Sequence, residues 1–533
     1  MSPLDPIELQ VIVGALRAAC EEMGAVLVHS AHSANIKERR DASTALFDPG
    51  GEMVMQAEHI PVHLGSMPAA VEAVLEREQR PGVSWVLNDP FAGGTHLPDI
   101  TVITPVFVSG AVADVDSGTG VDGEGPAQGR EGATQGDGRL IGFAASRAHH
   151  ADVGGRLPGS MPADSRTLEE EGVVIAPRQL TAEAIEELVA QMRAPQERRA
   201  DLRAQLAANR IGALRLGELA GRVGVQRLEQ ATADVLDYAE RRTRACIAAL
   251  PDGVREAADV LEAPEGDLVL RLRATVEGER LTLDFSGSAG RHEGNLNCPL
   301  AVTLSACWFA VRVLTDPDIP PSAGAYRPVR VIVPAGCLLN AQPPGHGDGP
   351  APAVAAGNVE TSSRVADLVL GAFGRALGQG TMNNLTLGNE DFTYYETLGG
   401  GQGACEDADG PSGVHVAMSN TLNTPIEALE RELPVLVSEY ALRRGSGGAG
   451  RQRGGEGVVR EIEALKDMTF SLIGERRRHA PPGAHGGGPG ARGQDTLIAV
   501  DGQGRPLPSK ITGTLGGGER LRIETPGGGG YGT

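Results

Sequence analysis

The sequence predicts a mixed α+β chain of several domains, with antiparallel β-rich regions, a central helical segment and glycine-rich turns. Three observations predict it. Short apolar runs bounded by turn residues recur toward both ends of the chain. Residues 166–253 carry helical spacing instead. The 533 residues include 74 glycines, many in pairs and triplets, which calls for tight turns and close backbone approaches. The expected units are 1–165, an α+β region; 166–253, helical; 254–430, α+β; and 431–533, β-rich.

Taken in order, residues 6–34 read as a helix with Pro6 at its start and charges breaking the apolar run, so the N-terminus is not expected to be a signal peptide. Strands follow at 42–48, 51–56 and 85–89, and a helix at 66–78. TVITPVFVSG is a strand, and LIGFAASRAHHADVGG (140–155) reads as its hairpin partner. Between them, residues 113–138 are glycine- and aspartate-rich and read as a disordered insertion at the hairpin tip. TAEAIEELVAQM carries a capping-box pattern with Thr181 as N-cap, and a longer helical region runs from 195 to 250. Residues 267–285 alternate as a hairpin, 297–314 form a buried helix, and another helix lies near 361–377. The C-terminal part is mostly β, with GGGPGARG (486–493) and ETPGGGGYG (524–532) as turns or a tail.

Lys and Arg total 48 against 69 Asp and Glu, a net charge of −21, which argues against nucleic acid or an anionic membrane as partner. No apolar run is long enough to span a bilayer. The six cysteines are scattered without a CxxC, as expected of reduced thiols in a cytoplasmic protein. No GxxxxGK[ST] loop is present, so a P-loop nucleotide site is not expected.

Seven of the twelve histidines fall in the first 150 residues: His29, His32, His59, His63, His96, His149 and His150. Imidazole and carboxylate together are ligands for Mn, Fe or Zn. His96 and Asp99 share one strand entrance in GGTHLPD, and His149 comes from the paired strand, with Asp152 repeating the HxxD spacing. Glu38 or Asp41, in NIKERRDAS, could add a carboxylate. HIPVH (His59, His63) is a weaker pattern, because same-face spacing also serves packing. GGGQGA, with Gly399, Gly400 and Gly401, could cradle an anion through backbone N–H groups, although tight turns explain it as well. ERRRHAP (475–481) reads as a solvated or partner-facing loop, and Cys298 and Cys307 as core thiols.

The run NIKERRDASTALFD, AEHIPVHLGSMP, NDPFAGGTHLPDITVITPVF, SRAHHADVGGRLPGSMP, GNLNCPLAVTLSA, GNVETSSRVAD, TYYETLGGGQGA and the closing ETPGGGGYG resembles the hydantoinase B/oxoprolinase family over nearly the whole chain. The resemblance implies a B-type subunit of an ATP-dependent cyclic amide hydrolase. An A-type partner would bind ATP and Mg and phosphorylate the ring, and a hetero-oligomer would result. It further implies a divalent transition metal (Mn, Zn or Fe) on His96, Asp99 and His149, with Glu38 as a fourth ligand. His150 or Asp152 would then be the proton acceptor or an orienting group, and Gly399–Gly401 would hold phosphate. Two other readings stand beside this one: a subunit of an acetone-carboxylase-like enzyme, or a scaffold whose metal is structural.

Overall fold

A computed structural model of the chain describes residues 4–58, 60–108, 138–345 and 349–533. The first helix, α1 (Pro6–Ser30), starts where the Asp5 carboxylate accepts the N–H groups of Ile7 and Glu8. It ends before residue 34, and a separate turn, α2 (Ala34–Lys37), follows. The cause is Asp201, whose carboxylate takes the N–H groups of His32 and Ser33 and draws the chain off the helical path.

The first sheet contains β1 (Ala42–Phe47), β2 (Met53–Glu58), β3 (Trp85–Leu87), β4 (Asp99–Val108), β5 (Arg139–His149) and β6 (Arg178–Gln179). Their order is β2-β1-β5-β4-β3-β6, antiparallel throughout. β4 and β5 pair as the hairpin reading expects, with Asp99 opposite His149. The expected insertion lies, apart from Gly138, outside the described residues, as does His59. One face of the sheet packs through Phe47, Trp85, Ile103 and Phe143 against α3 (Ser66–Leu75).

The helical segment comprises α4 (Leu168–Glu171), α5 (Ala182–Val189), α6 (Pro195–Val223) and α7 (Val225–Ala248). Thr181 caps α5 by accepting from the Ala184 N–H, but the third helical position holds Ala184 rather than an acid, so only half of the capping box forms. The single helical region expected over 195–250 is two helices, because Gly224 sits at φ 81° between them. α6 and α1 cover the second face of the sheet, with Leu16, Met23, Val106, Ala144, Ala208 and Leu216 in one core.

Next come β7 (Gly253–Ala263), β8 (Gly266–Glu277), β9 (Arg280–Asp284) and β10 (Val329–Ile332), ordered β10-β9-β8-β7. The buried helix α8 (Leu300–Leu314) and α9 (Ser362–Ala372) share its core; a π-helical turn at Gly357–Thr361 leads into α9. The remaining strands are β11 (Asn384–Gly388), β12 (Thr393–Thr397), β13 (Val435–Arg443), β14 (Gly457–Ala464), β15 (Met468–Ile473), β16 (Gln494–Ile498), β17 (Gly504–Leu507), β18 (Lys510–Leu515) and β19 (Arg520–Glu524). They form two sheets, β12-β11-β15-β18 and β13-β14-β19-β16-β17, and the first takes strands from both sides of residue 430.

Two expectations are corrected here. The closing glycine run at 524–532 is not a tail but largely buried, and the run at 486–493, which opens in an exposed turn at Gly486, pairs its backbone with it. Gly528 donates to the Gly455 carbonyl and accepts from Gly448 N–H, while Gly401 donates to Pro526 and Gly530 to Gly488. Extended segments without side chains approach to backbone hydrogen-bond distance and build a core from backbone alone; a Cβ on Gly528 would lie 2.0 Å from the Gln402 oxygen. The stretch from Glu475 is solvated only in part: Arg478 is exposed, but the first two residues are not. Glu475 and Arg476 are buried, because Lys510 pairs with Glu475, Asp259 with Arg476 and Asp495 with Arg477. The thiols of Cys298 and Cys307 are buried core groups, and burial pushes Cys298 up to about 12. No described helix is long and apolar enough to cross a membrane.

Candidate metal centre

The GGTHLPD loop delivers His96 and Asp99 to the mouth of β4, and its glycines are needed for the approach. Gly93 has φ 90°, and a Cβ on Gly94 would lie 2.2 Å from the Asn88 oxygen. The loop is tied down at both ends. Buried Arg147, on β5, donates to the Gly93 carbonyl at 2.8 Å and to Thr101 Oγ1 at 2.7 Å, and Asn88 Nδ2 donates to the Leu97 carbonyl at 2.7 Å.

At the open end of the β4–β5 pair, three donor atoms converge. His96 Nε2, His149 Nδ1 and Asp99 Oδ1 lie 3.1 Å from one another on every edge. All three residues are buried. The other Asp99 oxygen accepts from Thr95 Oγ1 at 2.5 Å and lies 3.4 Å from His63 Nε2. His63 reaches it from a short turn at Pro61–His63, its Nδ1 on Ser43 Oγ at 2.9 Å. Burial opposes ionisation of Asp99, yet the surrounding imidazoles, His96 foremost, hold its carboxyl well below the usual carboxylate range. Burial, against the pull of Asp99 and Asp41, keeps His149 below the ordinary imidazole pKa. An ionised Asp99 and a His149 that resists protonation are what a cation requires of these two donors.

These residues could hold a divalent metal. The edges of 3.1 Å suit donors lying about 2.0–2.2 Å from a shared centre. Two imidazoles and one carboxylate are a donor set that Mn, Fe and Zn accept. His96, Asp99 and His149 are the group of this kind among the described residues.

Other candidates fall elsewhere. Glu38 is half-buried at the end of α2 and does not join the trio. Asp41 comes closer: it is buried, its carbonyl accepts the His149 N–H at 3.0 Å, and its charge acts on that imidazole. His150 turns to the opposite face, where its Nε2 meets Gln205 Oε1 of α6 at 3.0 Å; burial lowers it to about 4. The Asp152 carboxylate is spent on the N–H groups of Gly154 and Gly159, both at 2.7 Å, and on Arg193. The N–H groups of Gly400 and Gly401 are bonded to Val414 and Pro526, so neither is free for an anion. Residue pattern singles out neither Tyr395 nor Arg39 and marks His63 only weakly. Tyr395 stacks on His149 with centroids 4.5 Å apart, and the Arg39 guanidinium lies over the Tyr395 ring. Their only signal was their place inside TYYETLGGG and NIKERRD.

The pattern of the hydantoinase B/oxoprolinase family matches residues 5–533. The chain belongs to that family. It is 37% identical to 5-oxoprolinase 1 of Arabidopsis thaliana over 99% of its own length and 42% of that protein. It therefore spans about two fifths of the 5-oxoprolinases it resembles. An uncharacterized protein of Methanocaldococcus jannaschii is 35% identical, with 99% of this chain and 91% of that one covered. Among solved structures, the ATP-dependent caprolactamase of Pseudomonas jessenii superposes with a TM-score of 0.86 at 27% identity, covering 100% of this chain and 92% of that one. Acetone carboxylase shares the fold, with a TM-score of 0.82 at 18% identity, covering 99% and 76%.

Proposed function

We propose that the chain is the ring-opening component of an ATP-dependent cyclic amide hydrolase of the hydantoinase/5-oxoprolinase type, working in the cytoplasm with an A-type subunit. The observation that carries this reading is the His96–Asp99–His149 triangle, buried within a family whose relatives include named oxoprolinases. A 28% identical Pseudomonas relative, named provisionally as the B component of a D-/L-hydantoinase, supports a division of the work between two polypeptides.

An amide oxygen is a poor leaving group because resonance stabilises the bond. In the proposed sequence the A-type partner, using ATP and Mg, places a phosphoryl group on the ring amide oxygen. Water adds to the activated carbon, the ring carbon–nitrogen bond breaks as nitrogen takes a proton and leaves an acyl phosphate, and a second water then releases phosphate and the open-chain carboxylate. A divalent ion on His96, Asp99 and His149 would supply Lewis acidity, polarising an oxygen or acidifying a water. The chain's own groups prepare that site. Thr95 and His63 hold the second Asp99 oxygen, leaving the first turned to the two imidazoles. Burial of all these groups keeps bulk water from competing. His150 and Asp152 act as positioning groups, one tying β5 to α6 and the other closing the turn that follows.

A purely structural metal would ask for a closed set of four ligands. Three are gathered among the described residues, which favours an open position. A carboxylase role has weaker support, since the likeness to acetone carboxylase is one of fold. The test is co-purification with an A-type subunit, followed by ATP-dependent assays on hydantoins, 5-oxoproline and lactams. An assembled, metal-loaded complex that opens none of these rings would overturn the reading.

A further inference from the structure

Metal-binding histidines ordinarily have their ring orientation fixed by the second nitrogen, which donates to a carboxylate or carbonyl. In this centre neither His96 Nδ1 nor His149 Nε2 has such a partner among the described residues, although both are buried. For His149 a different constraint is present. The Tyr395 ring lies against it with centroids 4.5 Å apart and planes 16° from parallel. Tyr395 is itself held from two directions. Its hydroxyl donates to Asn384 Oδ1 at 2.8 Å. The Arg39 guanidinium sits 4.7 Å from its ring centroid and donates to its carbonyl at 2.7 Å.

Arg39 is fully buried, and three more of its N–H groups are used. They reach Thr397 Oγ1 and Thr421 Oγ1, each at 3.2 Å, and the Leu422 carbonyl at 3.3 Å. A planar fork of this kind can bind carbonyls and hydroxyls at its edge while its face rests on an aromatic ring. Arg39 leaves the N-terminal region just before β1; the hydrogen-bond partners of its side chain lie between residues 395 and 422. The stack His149–Tyr395–Arg39 therefore joins a candidate ligand to a distant part of the chain.

We propose that Tyr395 and Arg39 are positioning residues of the metal centre, with the aromatic stack replacing the missing hydrogen bond to His149 Nε2. The inference rests on the reading of His96, Asp99 and His149 as metal ligands. The test is titration of the purified full-length chain with cobalt(II), followed by its visible absorption, beside thermal melts without metal. Y395F keeps the ring and loses only the hydroxyl, so its affinity should stay within about twofold of the parent. Y395M keeps bulk but not the ring and should bind about tenfold or more weakly, with an altered cobalt spectrum, as changes around a first ligand do. R39K cannot span Tyr395, Thr397 and Thr421 together and should also weaken binding by several-fold; it decides the matter if Y395M does not fold. A folded Y395M or R39K with the parent's affinity and spectrum would overturn the inference. If the parent chain binds no cobalt, it is the metal reading that fails, and the stack then has no ligand to position.

Discussion

Asp99 stands directly opposite His149 in the β4–β5 register, and Asp99 Oδ1 lies 3.1 Å from His149 Nδ1. Directly paired residues on antiparallel strands project to the same face, and the next residue projects to the other. His150 accordingly meets Gln205 on α6 instead.

That register predicts a sharp contrast. His96→Ala, Asp99→Ala and His149→Ala should each weaken metal binding by more than about 100-fold, beyond the 10–100-fold cost of outer changes, and abolish ring opening. His150→Ala should retain most metal and cost about 1–2 kcal/mol of stability through its lost hydrogen bond. Elemental analysis per chain and chemical denaturation measure the two effects. Full metal content in Asp99→Ala would remove that residue from the ligand set.

The chain purified alone should turn over no ATP, since its sequence has no phosphate-cradling lysine motif. With an A-type subunit present, ATP turnover should rise when a ring substrate is added. Phosphate release by the lone chain that survives every step removing the partner would contradict this division of labour.

Glu360 offers a pH test. Burial, then the charge of Glu475, pushes its carboxyl up to about 7. The folded state holds this proton more tightly than the unfolded chain does, where a glutamate titrates near ~4.3. Its contribution to stability is complete below the unfolded pKa and is lost as pH rises through about 7. Glu360→Gln stays neutral and keeps an oxygen for Thr381, Met382 and Asn384. Relative to the parent, it should gain about 1–3 kcal/mol between pH 5 and pH 8. Parallel stability curves from urea unfolding at the two pH values would rule this out.

The glycine layer should be intolerant of a single methyl group. In Gly528→Ala the new Cβ would lie 2.0 Å from the Gln402 oxygen, a backbone atom that cannot turn aside. A loss of about 3 kcal/mol or more is expected, at the upper end for overpacking. Gly217→Ala, within α6 and with nothing inside 4 Å of its Cβ, should instead gain about 0.5–1 kcal/mol. Thermal melts of the two variants decide; equal melting temperatures would mean the layer yields.

Local pattern by itself determined much of this protein. Strand alternation and turn residues marked β1, β4 and β5, and the HxxD spacing of His96 and Asp99 with His149 on the partner strand marked the trio, because these depend on near neighbours and one hairpin register. What only the tertiary structure decided were relations between distant segments. Periodicity cannot say that Asp41 rather than Glu38 lies beside His149, since a left-handed turn at Arg40 sets the direction of the chain there. It cannot tell a glycine turn from a glycine core, since both ask for the same missing side chain, and only packing against Gly455 and Gln402 distinguishes them. Nor can it show a tyrosine at 395 lying on a histidine at 149, because a stacking contact has no spacing to read until the fold has closed the distance.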